Sequence, residues 1–226
     1  MAITKTNFTG STVQDNFTDV YTWLIENATE YFDSILNDND KYINCFIKVN
    51  GNNVFAMHMN LQVSSSPIML INLHIANGEF VSVSLGSSTA RIKYGIKTPY
   101  GFGFMWTNQN KDQFVFFTKN EEGNVFGAAM VSTSTSSGAS HFYTWDFLGS
   151  RHITDWFYDA TQSRIWGEQM TLPAQLTSLT PLSVSDSPHY TPNLYRMMYS
   201  EYNGVIGKLT IDNTEYFSTG YLALKG

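Results

Sequence analysis

The side chains best suited to acid–base or metal chemistry in this sequence are its histidines. They are His58, His74, His141, His152 and His189. His58 and His74 lie on neighbouring predicted strands, but two ligands do not make a zinc site, and no Cys or close carboxylate joins them. His152 precedes Asp155 and could pair with it, yet no Gly-x-Ser-x-Gly motif supplies a nucleophile. We predict no catalytic residue, no metal ligand and no cofactor-binding residue.

Cys45 and residues 37–40 have simpler interpretations than chemistry. Cys45 is the single cysteine, so it forms no disulfide within the chain, and its apolar neighbours predict a buried strand position. Residues 37–40 (Asn-Asp-Asn-Asp) have the oxygen density of a calcium loop, but the required glycine and distant glutamate are missing. We expect residues 37–40 to end a helix.

Aromatic side chains are dense in residues 142–166 and 190–202. Tyr and Trp are favoured at interfaces because they bury a large area while keeping a polar tip, and they also stack on sugar rings. A hydrophobic core, a subunit interface and a glycan-binding surface are all compatible with this density. The predicted interaction residues are Trp145, Trp156, Phe157, Tyr158, Tyr190, Tyr195, Tyr199 and Tyr202.

The composition of the 226 residues excludes several classes of protein. Hydrophobic residues make up 42% and charged residues only 14%, and the polarity comes from 22 Ser, 23 Thr and 19 Asn residues. Disordered chains need few aromatics and many charges, whereas 15% of these residues are aromatic. The net charge of −6 argues against a nucleic-acid partner, which would select a basic patch. No apolar run is long enough for a membrane span, and we expect none.

One stretch near the start has the period of a helix. Apolar residues recur every three or four positions over residues 13–36, which predicts one long N-terminal amphipathic helix of about 24 residues. Ser11, with Gln14 three residues later, suits a capping box.

Along most of the chain after residue 40, apolar and polar residues alternate with the period of β-strands. Residues 41–49 and 54–61 predict a hairpin, and Asn77-Gly78 predicts the turn of a second one. Further strands are predicted at 91–96, 101–107, 113–118, 125–131 and 140–147. The turn Asp212-Asn213 and a return strand over 215–224 predict a C-terminal hairpin. The predicted fold is mainly β, an antiparallel β-sandwich with one long N-terminal amphipathic helix and a C-terminal hairpin.

The pattern along the chain predicts four segments that together form one compact domain. Four of the six prolines fall within about 20 residues, which favours an extended connection there because proline interrupts helices and central strands. The segments are the N-terminal segment and helix (1–40), the β-sandwich core (41–160), the Pro-rich connection (161–192) and the C-terminal hairpin unit (193–226).

The two ends of the chain resemble small structural proteins from phages and prophages of Gram-positive gut bacteria. At the start, residues 2–10 (AITKTNFTG) and Trp23-Leu24-Ile25 carry the resemblance. At the end, residues 207–212 (GKLTID), Tyr216-Phe217 and residues 220–224 (GYLAL) are similar to the closing hairpin of the same virion proteins. The resemblance implies a virion component of the tail or baseplate rather than of the capsid shell.

The sequence therefore predicts a non-enzymatic virion structural protein that forms an oligomeric part of a phage tail or baseplate. Its partners are copies of itself and other virion proteins, and it is synthesised in the cytoplasm of the bacterial host. One alternative is a carbohydrate-binding module that recognises a host-surface glycan. A second alternative is a capsid-associated head or decoration protein. A hydrolase is disfavoured because the sequence supplies neither a nucleophile nor a set of metal ligands.

Overall fold

Antiparallel β-structure dominates the computed structural model of this chain. The structure describes residues 2–32, 34–49, 52–62, 68–75, 80–108, 110–119, 121, 126–132, 139–146, 154–159, 164–166, 180–183, 190–196, 205–220 and 222–226. These residues form eighteen strands and one helix. The expectation of a mainly β, antiparallel fold with one helix is confirmed.

The strands form three sheets. The helix α1 spans Val13–Asn27. The strands are β1 (Thr4–Asn7), β2 (Ser34–Asp38), β3 (Tyr42–Val49), β4 (Asn52–Gln62), β5 (Ile68–Ile75), β6 (Phe80–Ser84), β7 (Ile92–Thr98), β8 (Gly101–Asn108), β9 (Lys111–Lys119), β10 (Phe126–Ser132), β11 (Ala139–Asp146), β12 (Thr154–Asp159), β13 (Arg164–Trp166), β14 (Thr180–Ser183), β15 (Tyr190–Arg196), β16 (Ile206–Ile211), β17 (Thr214–Thr219) and β18 (Leu222–Lys225). The strand orders are β1-β7-β8-β9-β10-β11-β12-β13, β14-β15-β18-β17-β16 and β2-β3-β4-β5-β6.

The chain divides into two compact units. The first comprises Met1–Thr4, Ile96–Gly103 and Lys111–Gly226, and it contains the whole β14–β18 sheet. The second comprises Lys5–Gly95 and Phe104–Asn110, and it contains α1 and the whole β2–β6 sheet. Each unit is therefore assembled from segments that are far apart in the sequence.

The predicted helix over residues 13–36 is wrong in its length, because α1 ends at Asn27. Ala28 and Phe32 remain buried beyond that point, although the chain there forms a turn. The helical spacing of apolar residues therefore continues past the end of α1, and for this reason the sequence predicts a longer helix. The Asn27 side chain stabilises the helix end by donating from its amide to the carbonyl of Trp23 at 3.0 Å.

The predicted capping box is shifted by one residue. Thr12, not Ser11, is the N-cap: its hydroxyl accepts a hydrogen bond from the backbone N–H of Asp15 at 3.0 Å. The Asp15 carboxylate accepts in turn from the backbone N–H of Thr12, so Asp15 takes the role predicted for Gln14. Aspartate in the first helical turn also suits the helix dipole.

Residues 39–41 form the turn of a hairpin between β2 and β3, and Asn37 and Asp38 lie on β2, so the prediction that residues 37–40 end a helix is wrong. Asn39 and Asp40 have φ angles of 52° and 53°, and the backbone N–H of Lys41 donates to the carbonyl of Asp38 at 3.1 Å. Asn and Asp tolerate this left-handed backbone better than other non-glycine residues. The same composition that stops a helix therefore also suits a tight β-turn.

The predicted hairpin arms over residues 41–49 and 54–61 are confirmed by the antiparallel pairing of β3 with β4. The second pair of arms is also confirmed, because β5 pairs with β6, while the predicted turn Asn77-Gly78 lies outside the described residues. The further predicted strands correspond to β7, β8, β9, β10 and β11. The alternation of apolar and polar residues therefore located these strands, although it did not show which strands pair with each other.

The C-terminal hairpin follows its predicted turn but not its predicted return strand. Asp212 and Asn213 have φ angles of 48° and 63° and join β16 to β17, as predicted. The single strand predicted over residues 215–224 is wrong, because the chain bends at Gly220, where φ is 96°, and continues as β18. β18 then pairs with β17 on one side and β15 on the other.

Residues 161–192, predicted as a Pro-rich connection, contain β13, β14 and the start of β15 in their described part. Pro181 lies on β14, which is at the edge of its sheet. An edge strand tolerates proline because the missing N–H group faces away from the ladder.

The core of the second unit is built around Trp23 of α1. Its ring lies edge-on to Phe104 at 5.3 Å and to Phe8 at 6.3 Å between centroids. A Cβ atom on Gly95 would lie 2.6 Å from the indole, so only glycine allows the helix to approach strand β7 this closely.

A buried amide fixes the same helix to β7. The Asn16 side chain is 1% exposed, and its amide donates to the carbonyl of Ile92 at 2.8 Å. Its carbonyl oxygen accepts from the backbone N–H of Ile92 at 2.9 Å. Asn16 therefore satisfies both backbone groups of Ile92 in the way that a neighbouring strand would.

The core of the first unit contains stacked phenylalanines. Phe102 and Phe117 stack at 4.9 Å between centroids. On β9, Phe114 and Phe116 each contact Phe217 of β17 at 6.4 Å. Aromatic residues at several points of the sequence thus supply the buried surface that holds these strands together.

We predict that Asn16→Ala lowers the free energy of unfolding by about 2–4 kcal/mol, because it leaves a buried N–H and a buried carbonyl without partners. Chemical denaturation followed by circular dichroism measures this loss. Thr18→Ala is the matched control, since Thr18 is exposed on the same helix, and it should change stability by less than about 0.5 kcal/mol. Equal effects of the two substitutions would contradict the role of Asn16.

Candidate functional site

The structure places six of the eight predicted interaction residues on three strands of the first unit. Trp145 lies on β11, Trp156, Phe157 and Tyr158 lie on β12, and Tyr190 and Tyr195 lie on β15. Tyr199 and Tyr202 lie outside the described residues. β15 belongs to a different sheet from β11 and β12. The predicted aromatic residues therefore do not lie on one continuous sheet.

Backbone register relates the residues of β12 to their neighbours. Trp156 pairs with Phe142 of β11, and Phe157 pairs with Trp166 of β13. Aromatic residues thus occupy paired positions across these strands, an arrangement that stabilises sheets in general. Trp145 pairs instead with Ala128 of β10.

Tyr195 belongs to a group of polar and aromatic side chains that we call the Tyr195 cluster. Its members are Tyr100, Glu121, Tyr195, Tyr216 and Lys225. Tyr195 and Tyr216 meet edge to face at 5.6 Å with an interplanar angle of 85°. Tyr216 pairs with Lys225 across β17 and β18, and Tyr195 pairs with Ala223 of β18. Three adjacent strands therefore bring these side chains together.

Lys225 links the tyrosines of the cluster to a carboxylate. Its Nζ lies 2.7 Å from Oε1 of Glu121 and 4.9 Å from the centroid of the Tyr100 ring. The hydrogen bond to Glu121 raises the pKa of Lys225 above its usual value, against a smaller lowering by partial burial, and the negative charge of Glu121 adds to the increase. The ammonium is therefore held charged beside the Tyr100 ring.

The Tyr195 cluster is open to solvent, and its groups are suited to binding. The three tyrosines are half-buried, while the side chains of Lys225 and Glu121 are 24% and 65% exposed. Ring faces, phenolic hydroxyls and an ion pair can stack on a ligand or protein surface and hydrogen-bond to its polar groups.

Sequence reasoning identified Tyr195 and missed the other four members of the cluster. Tyr100 lies in the turn between β7 and β8, and Glu121 follows β9. They come close to Lys225 only through contacts between two sheets, since β7, β8 and β9 belong to the eight-stranded sheet and β18 to the β14–β18 sheet. Aromatic residues are as dense around Tyr100 as in residues 190–202, but this density does not indicate that Tyr100 lies beside Lys225 and Glu121.

The structure places Cys45 on β3, His58 on β4 and His74 on β5. Cys45 is buried, and desolvation raises the pKa of its thiol, so the prediction of a buried apolar side chain is confirmed. His58 pairs with Asn72 and His74 pairs with Ala56, so the two histidines are not directly opposite each other. Burial likewise raises the pKa of the Tyr31 hydroxyl.

His141 lies on β11, whereas His152 and His189 lie outside the described residues. Within the described ranges, no group of three His, Cys, Asp or Glu residues is arranged to hold a metal ion. The one helix of the described chain is neither long enough nor apolar enough to cross a membrane.

Comparison with known proteins adds no relative to this picture. No protein-family model matches the chain, and no match was found among curated proteins or among solved structures.

We predict that Glu121→Gln lowers the pKa of Lys225 and reduces stability by less than about 1 kcal/mol at neutral pH, as for other exposed ion pairs. Because folding raises this pKa, the contribution is present below the unfolded pKa and is lost as the pH rises through the folded one. NMR titration of the Lys225 side chain measures the shift. Glu215→Gln, an exposed carboxylate on the same sheet, should leave it unchanged. A Lys225 titration that is unaffected by Glu121→Gln would contradict the pairing.

Proposed function

We propose that this chain is a non-enzymatic virion structural protein of a bacteriophage, and that it assembles into the tail or baseplate. Its partners are copies of itself and other virion proteins, and it is made in the cytoplasm of the bacterial host. The resemblance at the two ends of the chain supports this proposal. The low content of charged residues supports it as well, because largely uncharged surfaces suit close-packed interfaces.

Apolar side chains at sheet edges are the observation that carries the proposal. β16 is at the edge of its sheet, and Ile206 on it is 45% exposed, while Val205 immediately before it is 41% exposed. β2 is at the edge of another sheet and carries Leu36, which is 55% exposed. An edge strand presents unpaired backbone groups, and exposed apolar residues beside it favour association with another chain.

A β-sandwich is the architecture we propose for the first unit. The contacts of Phe217 with Phe114 and Phe116 join the β14–β18 sheet to β9 of the largest sheet. Leu224 of β18 is fully buried, as expected for a residue on the inner face of a sheet. Face-to-face packing of two sheets is a common way to bury such residues.

A carbohydrate-binding receptor-recognition module is the second candidate, and the Tyr195 cluster favours it. Tyrosine rings beside an ion pair suit the polar and apolar faces of a sugar. We predict that glycan-array binding, where present, is lost in Tyr195→Ala and Tyr216→Ala but kept in Tyr21→Ala, a half-buried tyrosine of the second unit. Binding that survives both cluster substitutions would remove this candidate. A capsid-associated head or decoration protein remains the other virion role.

We predict that mass spectrometry of purified virions detects the chain, and that assemblies of the chain survive about 1 M salt. At that concentration the screening length falls to about 3 Å, so apolar contacts persist while long-range charge attraction is lost. Sedimentation at low and high salt measures the stability of the assemblies. Absence from virions, or dissociation at high salt, would overturn the proposal.

A further inference from the structure

The hairpin of β16 and β17 determines which backbone groups of β16 face outward. Its two-residue turn places Ile211 opposite Thr214. In such a hairpin this pair exchanges both hydrogen bonds, and hydrogen-bonded pairs then alternate along the strands. Leu209 therefore bonds to β17, whereas the N–H and carbonyl groups of Lys208 and Thr210 point away from it.

An independent hydrogen bond supports this assignment. The carbonyl of Glu215, which pairs with Thr210 in register, accepts from the backbone N–H of Gly226 at 2.8 Å. It therefore faces away from β16. The outward groups of Lys208 and Thr210 receive no hydrogen bond from the part of the chain that the structure describes.

Two opposite charges lie along the same edge. Lys208 and Asp212 are both exposed, and neither has an ion-pair partner among the described residues. They are four residues apart, on and just beyond β16. A second chain that runs antiparallel along this edge brings a positive charge towards a negative one at both ends of the contact.

Charge and backbone geometry select one register for such a pair. A two-fold axis at Lys208 would put two ammonium groups directly opposite each other, which destabilises a sheet. An axis at Gly207 would need an extended backbone there, but its φ is 124°, in the region that favours glycine. An axis at Thr210 would put Lys208 directly opposite Asp212 of the partner subunit, but Asp212 lies beyond β16 with a φ of 48° and is not extended. An axis at Leu209 pairs the outward groups of Lys208 with those of Thr210 of the partner subunit. It places Lys208 diagonal to Asp212 of the partner subunit on one side and to Lys208 of the partner subunit on the other.

We propose that β16 pairs with β16 of a second copy of this chain, antiparallel, about a two-fold axis at Leu209. The pairing joins two five-stranded sheets into one and gives the outward groups of Lys208 and Thr210 their partners. It rests on the proposed function, since it names one contact of the assembly. A contact of this length is small compared with the roughly 1,600 Å² of a standard interface, so the free chain associates weakly through it.

Cysteine cross-linking of the purified chain tests this register. In it the two Leu209 residues form a non-hydrogen-bonded pair with Cα atoms about 4.5 Å apart, which suits a disulfide. Two Lys208 residues, or two Thr210 residues, lie diagonally at about 7–8 Å, which does not. Native Cys45 is buried and does not compete.

We predict that Leu209→Cys cross-links about tenfold faster than Lys208→Cys or Thr210→Cys under mild oxidation, since only its geometry fits a disulfide. Random collision gives the opposite order, because Lys208 and Thr210 are more exposed than Leu209. Adding Lys208→Glu to Leu209→Cys should slow the reaction, and adding Asp212→Asn to that pair should restore part of the rate. The proposed register would be overturned if the cross-linking rates of the three cysteine variants followed the exposure of the substituted residues, or if Lys208→Cys cross-linked fastest.

Thr210→Pro provides a second test if the cysteine variants unfold. An outward-facing N–H is the position where an edge strand tolerates proline, so the monomer should keep its circular dichroism. Its concentration-dependent association in sedimentation should be weaker than that of the native chain, and unchanged association would also overturn the pairing. If the chain is found in virions but its cross-linking rates follow side-chain exposure, this contact is refuted and the virion proposal still holds.

Discussion

The two hydrogen bonds between the Asn16 side chain and the backbone of Ile92 are the constraint on which the helix-bearing unit depends. They replace a strand partner where a helix meets a sheet, so no buried backbone group is left unpaired. They also fix the height and rotation of α1 above β7. Trp23 can then lie against Gly95, where a larger residue would collide with the indole. One buried amide thus makes close packing of helix and strand possible.

Turn chemistry determines which backbone groups of the edge strand β16 face outward. Paired Asn and Asp residues with positive φ close both the β2–β3 and the β16–β17 hairpins. The two-residue turn at Asp212-Asn213 sets the register of the β16–β17 hairpin, and the register determines which backbone groups face outward. In the β14–β18 sheet β16 is one of the two outer strands, and Ile206 is exposed on it. The proposed assembly therefore depends on a property that the turn residues impose locally.

The Tyr195 cluster and the proposed assembly contact both involve the β14–β18 sheet. The Tyr195 cluster lies where β15, β17 and β18 pair, and the proposed contact lies along β16. A pairing along β16 does not involve β15, where Tyr195 lies, so the proposed glycan recognition and the proposed assembly are compatible in one subunit. Sequence reasoning could reach Tyr195 through local aromatic density. It could not reach Tyr100 or Lys225, because only contacts between two sheets bring residues so distant in the sequence together.

The sequence by itself determined the strand-rich class, most strand positions and the turn at Asp212-Asn213, because alternation and left-handed turn residues are local properties. It could not determine where α1 ends, because burial of Ala28 and Phe32 comes from packing and continues the helical period past Asn27. It also could not distinguish a helix stop from a β-turn at residues 37–40, since Asn and Asp suit both. Tertiary structure decided these points, because the pairing of β2 with β3 and the burial of Ala28 and Phe32 depend on residues that local patterns do not connect.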